Sequence, residues 1–320
     1  MPRTGTQRTQ AGGIRAPLRS LAFDLLESLY QHRLLTTGQL QLLHAPDRSR
    51  RWTQRVIAEL EEAGLVAHVQ KRGSLRVWFV TDGGAELAEA LPDRVEERRK
   101  LLDARQAAGA LQAHTLAVND VGIAFLEAAR RRGDEFTPRS WRHEVAHPIG
   151  PPPGMRRGEL LIADAVFTYL YRASEDLILE YRFVELDRGT LPSDKLAAKL
   201  ARYARLYRFR PRARKGERPE PAWRAHYPVF PGVVVVFAGL PRAALERRLQ
   251  LVVGLCASEP QLESTPAVQI RLCLLEDLVG AGPFAPIFTC VANPARRINW
   301  VGDKAPSGGV PADGAQVGRA

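Results

Sequence analysis

The sequence predicts an α/β protein, α+β overall, in which a winged helix-turn-helix precedes a larger α/β domain. Three observations lead there. The first apolar-patterned stretch runs helix, helix, helix, hairpin. A later stretch runs helix, three strands, helix, strand, which is an α/β order. Within it "GVVVVFAGL", Gly232 to Leu240, is apolar without alternation, as a strand covered on both faces must be.

The elements follow in chain order. Residues 1–17 and the Gly-, Pro- and Ala-rich residues 301–320 are expected to be disordered tails. The winged-helix block spans 18–91. "LRSLAFDLLESLYQHRL" places Leu21, Leu25, Leu26 and Leu29 at helical spacing. "LTTGQLQLLH" offers Thr36 and Thr37 as caps, then Leu40, Leu42 and Leu43. A third helix turns Trp52, Val56 and Leu60 inward and stops at Gly64. Two strands then flank a turn at Lys71 to Ser74, and a short helix follows. Residues 92–112 mix both charge signs and read as a solvated linking helix.

The α/β domain spans 113–300. "HTLAVNDVGIAFLEAARRRG" is a helix closed by Gly133. Strands follow in "RSWRHEVAH", "ELLIADAVFTYLY" and "DLILEYRFVELDR", the last two forming a hairpin across Arg172 to Glu175. "SDKLAAKLARYARLYRF" is an amphipathic helix, with Tyr203 and Tyr207 continuing its apolar stripe. The Pro- and Arg-rich run from Arg208 to Val229 reads as a surface loop. A helix opened by Pro241 and a late strand, "VQIRLCLLEDL", complete the domain.

Composition narrows the function classes. The 320 residues suffice for about two domains, at roughly 100–200 residues each. Lys plus Arg number 46 against 35 Asp plus Glu, a formal charge of +11 that favours polyanionic partners, nucleic acid first. The three cysteines form no CxxC pair, which argues against a thiolate zinc site, and their odd, sparse count argues against a secreted disulfide scaffold. No apolar run approaches the ~20 residues of a membrane span. The N-terminus lacks the apolar core of a signal peptide, so the expected location is the cytoplasm. No GxxxxGK[ST] loop is present, which argues against a P-loop ATPase.

Double-stranded DNA is the expected partner. Arg48, Arg50, Arg51, Gln54 and Arg55 cluster on the exposed side of the third helix, the element that enters the major groove in a helix-turn-helix. Lys71, Arg72 and Arg76 lie in the hairpin, within reach of the adjacent backbone. An ordinary solvated helix face is the plain alternative, but the charges occupy both places a winged helix presents to DNA. The same fold also serves for protein docking or homodimerisation.

"FVELDRGT" raises a different question. Residues i and i+2 of a strand point the same way, so Glu185 and Asp187 share a face. Asp164 lies in the neighbouring strand and is expected opposite them. Converging carboxylates repel unless a cation sits among them, and such oxygen ligands suit Mg2+ or Mn2+. A cation held there can polarise a phosphodiester and activate water. The plainer reading has Asp187 and Arg188 begin a solvated turn while Glu185 pairs with an arginine. His114 falls on an apolar helix face and is expected to be buried and hydrogen-bonded rather than a ligand.

An Asp strand, a Glu strand, a helix bearing Lys and Tyr and an all-apolar strand together resemble the PD-(D/E)xK nuclease core. More narrowly, "RSRRWTQRVIAELEEAGLV", "FVTDGG", "HTLAVND", "WRHE", "ADAVF", "FVELDRGT" and "KLAAKLARYARLY" resemble the replication-relaxation family of actinobacterial plasmids and mobile elements, over roughly Leu18 to Val252. The resemblance implies a restriction-endonuclease-like α/β domain and a role in replication, DNA relaxation or mobilisation alongside replication or conjugation proteins. It implies Asp164, Glu185 and Asp187 as metal ligands, with Glu144 of "WRHE" as a further one. Two departures stand out. Ala163 replaces the proline before Asp164, and Asp187 stands where the motif has lysine. Either Lys195 or Arg188 supplies that charge from elsewhere, or the core is a dead nuclease kept for binding. Three readings remain: a metal-dependent nicking endonuclease, an inactive DNA-binding regulator or replication and mobilisation accessory, and a protein-docking adaptor.

Overall fold

A computed structural model of the chain describes residues 20–70, 75–90, 101, 104–109, 111–150, 158–173, 175–212 and 218–302. The expected N-terminal tail, most of the C-terminal one, Lys71 and Arg72 lie outside the described residues. Most of the expected linking helix does too; its described part holds one helical turn, α5 (Ala104–Ala107).

The first block contains α1 (Ser20–His32), β1 (Leu35–Thr36), α2 (Thr37–His44), α3 (Arg50–Glu62), β2 (Val66–Gln70), β3 (Arg76–Val80) and α4 (Asp82–Glu89). Thr36 caps α2: its hydroxyl accepts from the Gln39 amide at 3.1 Å, and the Gln39 side chain accepts from the Thr36 amide at 3.0 Å. Ser49 caps α3 and Thr81 caps α4. The strand order is β1-β3-β2, so the expected hairpin gains a short third strand. On α3, Thr53 is buried beside Val56, Ile57 and Leu60, while Trp52, expected inward, is partly buried and packs against the same core. Leu42 on α2 is exposed.

The second block begins with α6 (Gln112–Arg132), closed by Gly133 in the left-handed region at φ 73°. Then come β4 (Trp141–Gly150), β5 (Glu159–Ala173), β6 (Asp176–Asp187), α7 (Ser193–Arg208), β7 (Gly232–Phe237), α8 (Arg242–Ala257), α9 (Pro260–Glu263), β8 (Ile270–Leu274), α10 (Leu275–Ala281), β9 (Phe288–Cys290) and β10 (Asn293–Ile298). Among the described residues they form a seven-stranded mixed sheet ordered β10-β9-β8-β7-β6-β5-β4. β4, β5 and β6 form an antiparallel meander, while β6, β7 and β8 run parallel. Every residue of β7 is buried, as its unalternating sequence requires.

This helix, antiparallel meander, helix, parallel strand order is the restriction-endonuclease-like arrangement. α6 and the first block cover one face, packing on Phe167, Val184 and Val234. α7 and α8 cover the other, packing on Phe183, Val233 and Val235. Two expectations need correction. The Arg208–Val229 loop is not wholly superficial: Trp223 and Tyr227 are buried against α7 and β6. Val301, expected to open the C-terminal tail, is buried beside Trp300.

The two blocks are fastened together. One apolar core runs from Leu25 and Leu40 through Phe125 to Trp141. Gln39 Nε2 donates to the Leu116 carbonyl at 2.8 Å and to Asp120 Oδ1 at 2.7 Å. Asn119 Nδ2 donates to the Leu34 carbonyl at 2.8 Å. Arg130 donates to the Leu42 and Leu43 carbonyls at 2.5 Å each, serving the last turn of α2, where helix carbonyls lack internal partners.

Candidate active site

The β5–β6 ladder ends at Ala165↔Val184. Beyond it β5 stays paired with β4 and β6 with β7, so the sheet forks. Asp164 and Glu185 stand at the fork. Asp164 Oδ2 replaces the missing ladder bond by accepting from the Leu186 amide at 2.8 Å. Lys199 of α7 reaches both carboxylates: Nζ lies 2.5 Å from Glu185 Oε2 and 3.5 Å from Asp164 Oδ1. Those two oxygens are therefore no more than about 6 Å apart. Tyr203, one turn beyond Lys199, donates to Glu185 Oε1 at 2.5 Å. From the other face, His114 Nε2 of α6 stands 3.5 Å from Asp164 Oδ2.

The electrostatics follow from one ammonium facing two carboxylates. Burial pushes Asp164 up, but the His114 hydrogen bond, Lys199 and the Leu186 amide outweigh it and hold the carboxyl at about 2. Full burial pushes Glu185 up first and the Asp164 charge second, so that against the pull of Lys199 and Tyr203 it stands at about 8. Burial lowers Lys199, but the two carboxylates outweigh that and raise it. The site thus resists ionising both carboxylates at once, and Glu185, the less solvated, is the one that charges later as pH rises.

Asp164 and Lys199 open into a cleft of about 810 Å3 in the second block, to which the first block contributes Arg33. Arg33, His114, Glu144, Arg188 and Arg202 line it, beside the exposed Leu111, Leu160 and Ile162.

Several expected site residues sit elsewhere. Asp187 shares the Glu185 face, as alternation requires, but turns to α8. Arg248 grips it in a fork, Nε to Oδ2 at 2.5 Å and Nη2 to Oδ1 at 3.0 Å, and also binds Ser193 and the Leu191 carbonyl. Asp187 is thereby a buried structural ion pair that fastens the Asp187–Leu191 turn to α8. Lys195 is exposed one turn before Lys199. His114 is partly exposed at the cleft, not buried as expected. Glu144 pairs with Arg33 at 2.6 Å. Among the described residues no group of three or more His, Cys, Asp or Glu is placed to hold a metal ion, so the expected four-carboxylate set is not assembled. Asp164 and Glu185 alone still fit a Mg2+ or Mn2+, which binds through one or two carboxylates and keeps several waters.

The residue missed from the sequence is Lys199. "DKLAAKLARY" carried the signal: Lys199 lies three residues after Leu196 and four before Tyr203, both buried against the sheet, so it flanks the packed stripe while Lys195 does not.

The Arg33–Glu144 pair has unusual backbones. These are the non-glycine residues with positive φ among the described ones, at 68° and 51°. Each such conformation costs on the order of 1–2 kcal/mol. The pair joining them is 15% and 55% exposed, a setting where ion pairs contribute about 0–1 kcal/mol. Next to it His32 Nδ1 stands 3.2 Å from His143 Nε2, and the His32 ring stacks on Trp141.

On the first block Arg48, Arg50, Arg51, Gln54, Arg55 and Arg76 are all exposed. Arg50, Gln54 and Arg76 line one groove of about 390 Å3 between α3 and the hairpin, with Gln70 and Trp78.

No helix among the described residues is long and apolar enough to cross a membrane. A comparison with curated proteins finds no match. Among solved structures the chain is similar to restriction endonuclease FokI, with 13% identity over 82% of this chain and 43% of that one, at a TM-score of 0.27. It is similar also to FokI bound to DNA, with 13% identity over 82% and 44%, at a TM-score of 0.23. The chain spans less than half the length of either. The model of the replication-relaxation family matches residues 26–219, more than half of the chain, and the chain belongs to that family.

Proposed function

We propose that this protein is a metal-dependent DNA endonuclease of plasmid or mobile-element replication, relaxation or mobilisation, which nicks one strand of a duplex held by its winged-helix block. The observation that carries this reading is the convergence of Asp164 and Glu185 on Lys199 at the floor of a cleft. Mg2+ or Mn2+ between the two carboxylates would polarise the phosphodiester and activate water. Asp164, ionised far below neutrality, keeps its charge for a cation or a water. Tyr203 fixes one oxygen of Glu185, and Lys199 holds the other at the floor of the cleft. Lys199 supplies the charge that the motif places at the position of Asp187, and its ammonium faces oxygens that gain charge as water adds to phosphorus and one P–O bond breaks. Arg188 and Arg202 at the cleft offer donors to flanking phosphates.

The test is nicking of supercoiled plasmid with Mg2+, Mn2+ or EDTA, for wild type beside Glu185→Gln and Lys199→Ala. Metal-dependent open circles, lost in both variants, are expected. No cleavage by a folded wild type that still binds DNA would refute the reading.

A second reading is an inactive DNA-binding regulator or mobilisation accessory. It draws on the same ammonium: Lys199 already neutralises the carboxylates without a metal. Retained DNA binding with no metal uptake would favour it.

A further inference from the structure

We propose that the Arg33–Glu144 ion pair is a substrate-released clasp: it holds a third carboxylate out of the metal site until a DNA phosphate takes Arg33 from it. This rests on the metal-site reading of Asp164 and Glu185 given above.

Glu144 lies on β4 between His143 and Val145, which pair with Ala165 and Ala163 of β5, so its position faces Asp164 across the ladder. Both side chains line the same cleft. Yet the Glu144 carboxylate is turned to Arg33, at 2.6 Å, by a backbone in the left-handed region. Such a residue inside a strand re-aims its side chain and persists only where its surroundings enforce it. Arg33 is no better placed. It follows the last turn of α1, where its amide bonds the Leu29 carbonyl and its φ of 68° suits glycine. Two strained residues therefore hold a half-exposed ion pair that contributes little by itself. Little holds it if a better partner for Arg33 arrives.

A phosphate is that partner. Arg binds phosphate through two parallel hydrogen bonds, and Arg33 lines the cleft a scissile phosphate must enter. Rotation of the whole winged-helix block is the less economical trigger. The seam around Arg33 is sewn by Asn119 to Leu34 and by Gln39 to Leu116, with a continuous core beneath. Exchange of one guanidinium's partner needs no such movement. Once released, Glu144 is free to turn back towards Asp164 and complete a three-carboxylate site only when DNA is present.

The experiment is Mn2+ titration of DNA-free protein, read as bound Mn2+ by electron paramagnetic resonance. Wild type is compared with Arg33→Gly, Glu144→Gln and the double variant. Glycine relieves the positive φ, so Arg33→Gly should be at least as stable in urea as wild type. It should bind Mn2+ about tenfold more tightly, as one added carboxylate ligand would give. Glu144→Gln should match wild type, and the double variant should lose the tenfold gain. Adding a duplex with uncleavable phosphorothioate linkages should tighten Mn2+ binding to wild type but not to Glu144→Gln. Equal Mn2+ affinity of wild type and Arg33→Gly overturns the clasp alone, and so does a gain that survives in the double variant. Absence of Mn2+ binding from all four proteins, with and without DNA, overturns the metal site as well.

Discussion

Replacing Glu185 by glutamine should make the protein more stable in proportion to pH. The unfolded chain releases the Glu185 proton near 4.5, whereas the folded site keeps it to about 8. Between those values the folded state binds more protons than the unfolded one, so wild-type stability falls as pH rises. Each pH unit in the window is worth about 1.4 kcal/mol. Glutamine has the shape of the protonated carboxyl and does not titrate. Measured by urea denaturation, the stability gap in favour of Glu185→Gln should therefore widen from pH 5 to pH 8, by about 4 kcal/mol as an upper figure. Asp164, held at about 2, titrates below this window, and the other groups are common to both proteins. A gap that stays level across the range would refute the reasoning. It would mean that Glu185 is ionised beside Lys199 throughout and that Lys199 alone carries the proton. The result bears on chemistry too, because a carboxyl that keeps its proton to pH 8 must release it when a cation enters. Heats of Mn2+ binding at pH 7 should then depend on the ionisation heat of the buffer.

Three further outcomes are expected. Lys199→Ala should lower the nicking rate by roughly 10²–10³-fold with little change in DNA affinity, while Lys195→Ala leaves both near wild type; gel-shift and plasmid assays together separate these, and loss of nicking in Lys195→Ala would contradict the assignment. Arg50→Ala, or Arg55→Ala, should weaken DNA binding and reduce the slope of log affinity against log salt by about one per lost phosphate contact; an unchanged slope in both would remove α3 from the interface. Arg248→Ala should cost about 3 kcal/mol in denaturant stability, because Asp187 is left buried without its cation; a loss below 1 kcal/mol would show that water reaches it.

Periodicity carried the fold a long way. The unalternating run at Gly232 marked the central parallel strand, and the spacing of Leu196, Leu200 and Tyr203 marked the buried stripe of α7. Both signals arise because burial repeats with the geometry of the element. Local sequence says nothing about where a sheet forks, and that is why Asp187 misled. Alternation places it with Glu185, but α7 and α8 meet different residues of the same strand face, so two carboxylates of like appearance acquire unlike partners. Lys199 was legible from its position relative to Tyr203, yet only the fold shows that α7 crosses the fork at that turn. The Arg33–Glu144 pair was out of reach altogether, since no pattern in a chain couples residues 33 and 144 or marks a left-handed arginine. Short additions such as β1 and β9 depend on neighbours for their pairing and carry too few residues to announce themselves, while β10 is exposed and polar and shows no apolar pattern.

The stitching of α6 into the first block has a metric consequence. Arg130 holds the end of α2, Asn119 the turn after α1, and α3 packs against both helices. If α3 sits on a duplex, the fork of the main sheet lies at a set distance and bearing from it, as a cutting wheel does from its guide. The severed phosphate would then fall at one constant offset, in base pairs and in helical phase, from the sequence that α3 grips. Inserting five base pairs into that interval, half a turn of duplex, should not move the cut along the DNA but abolish it.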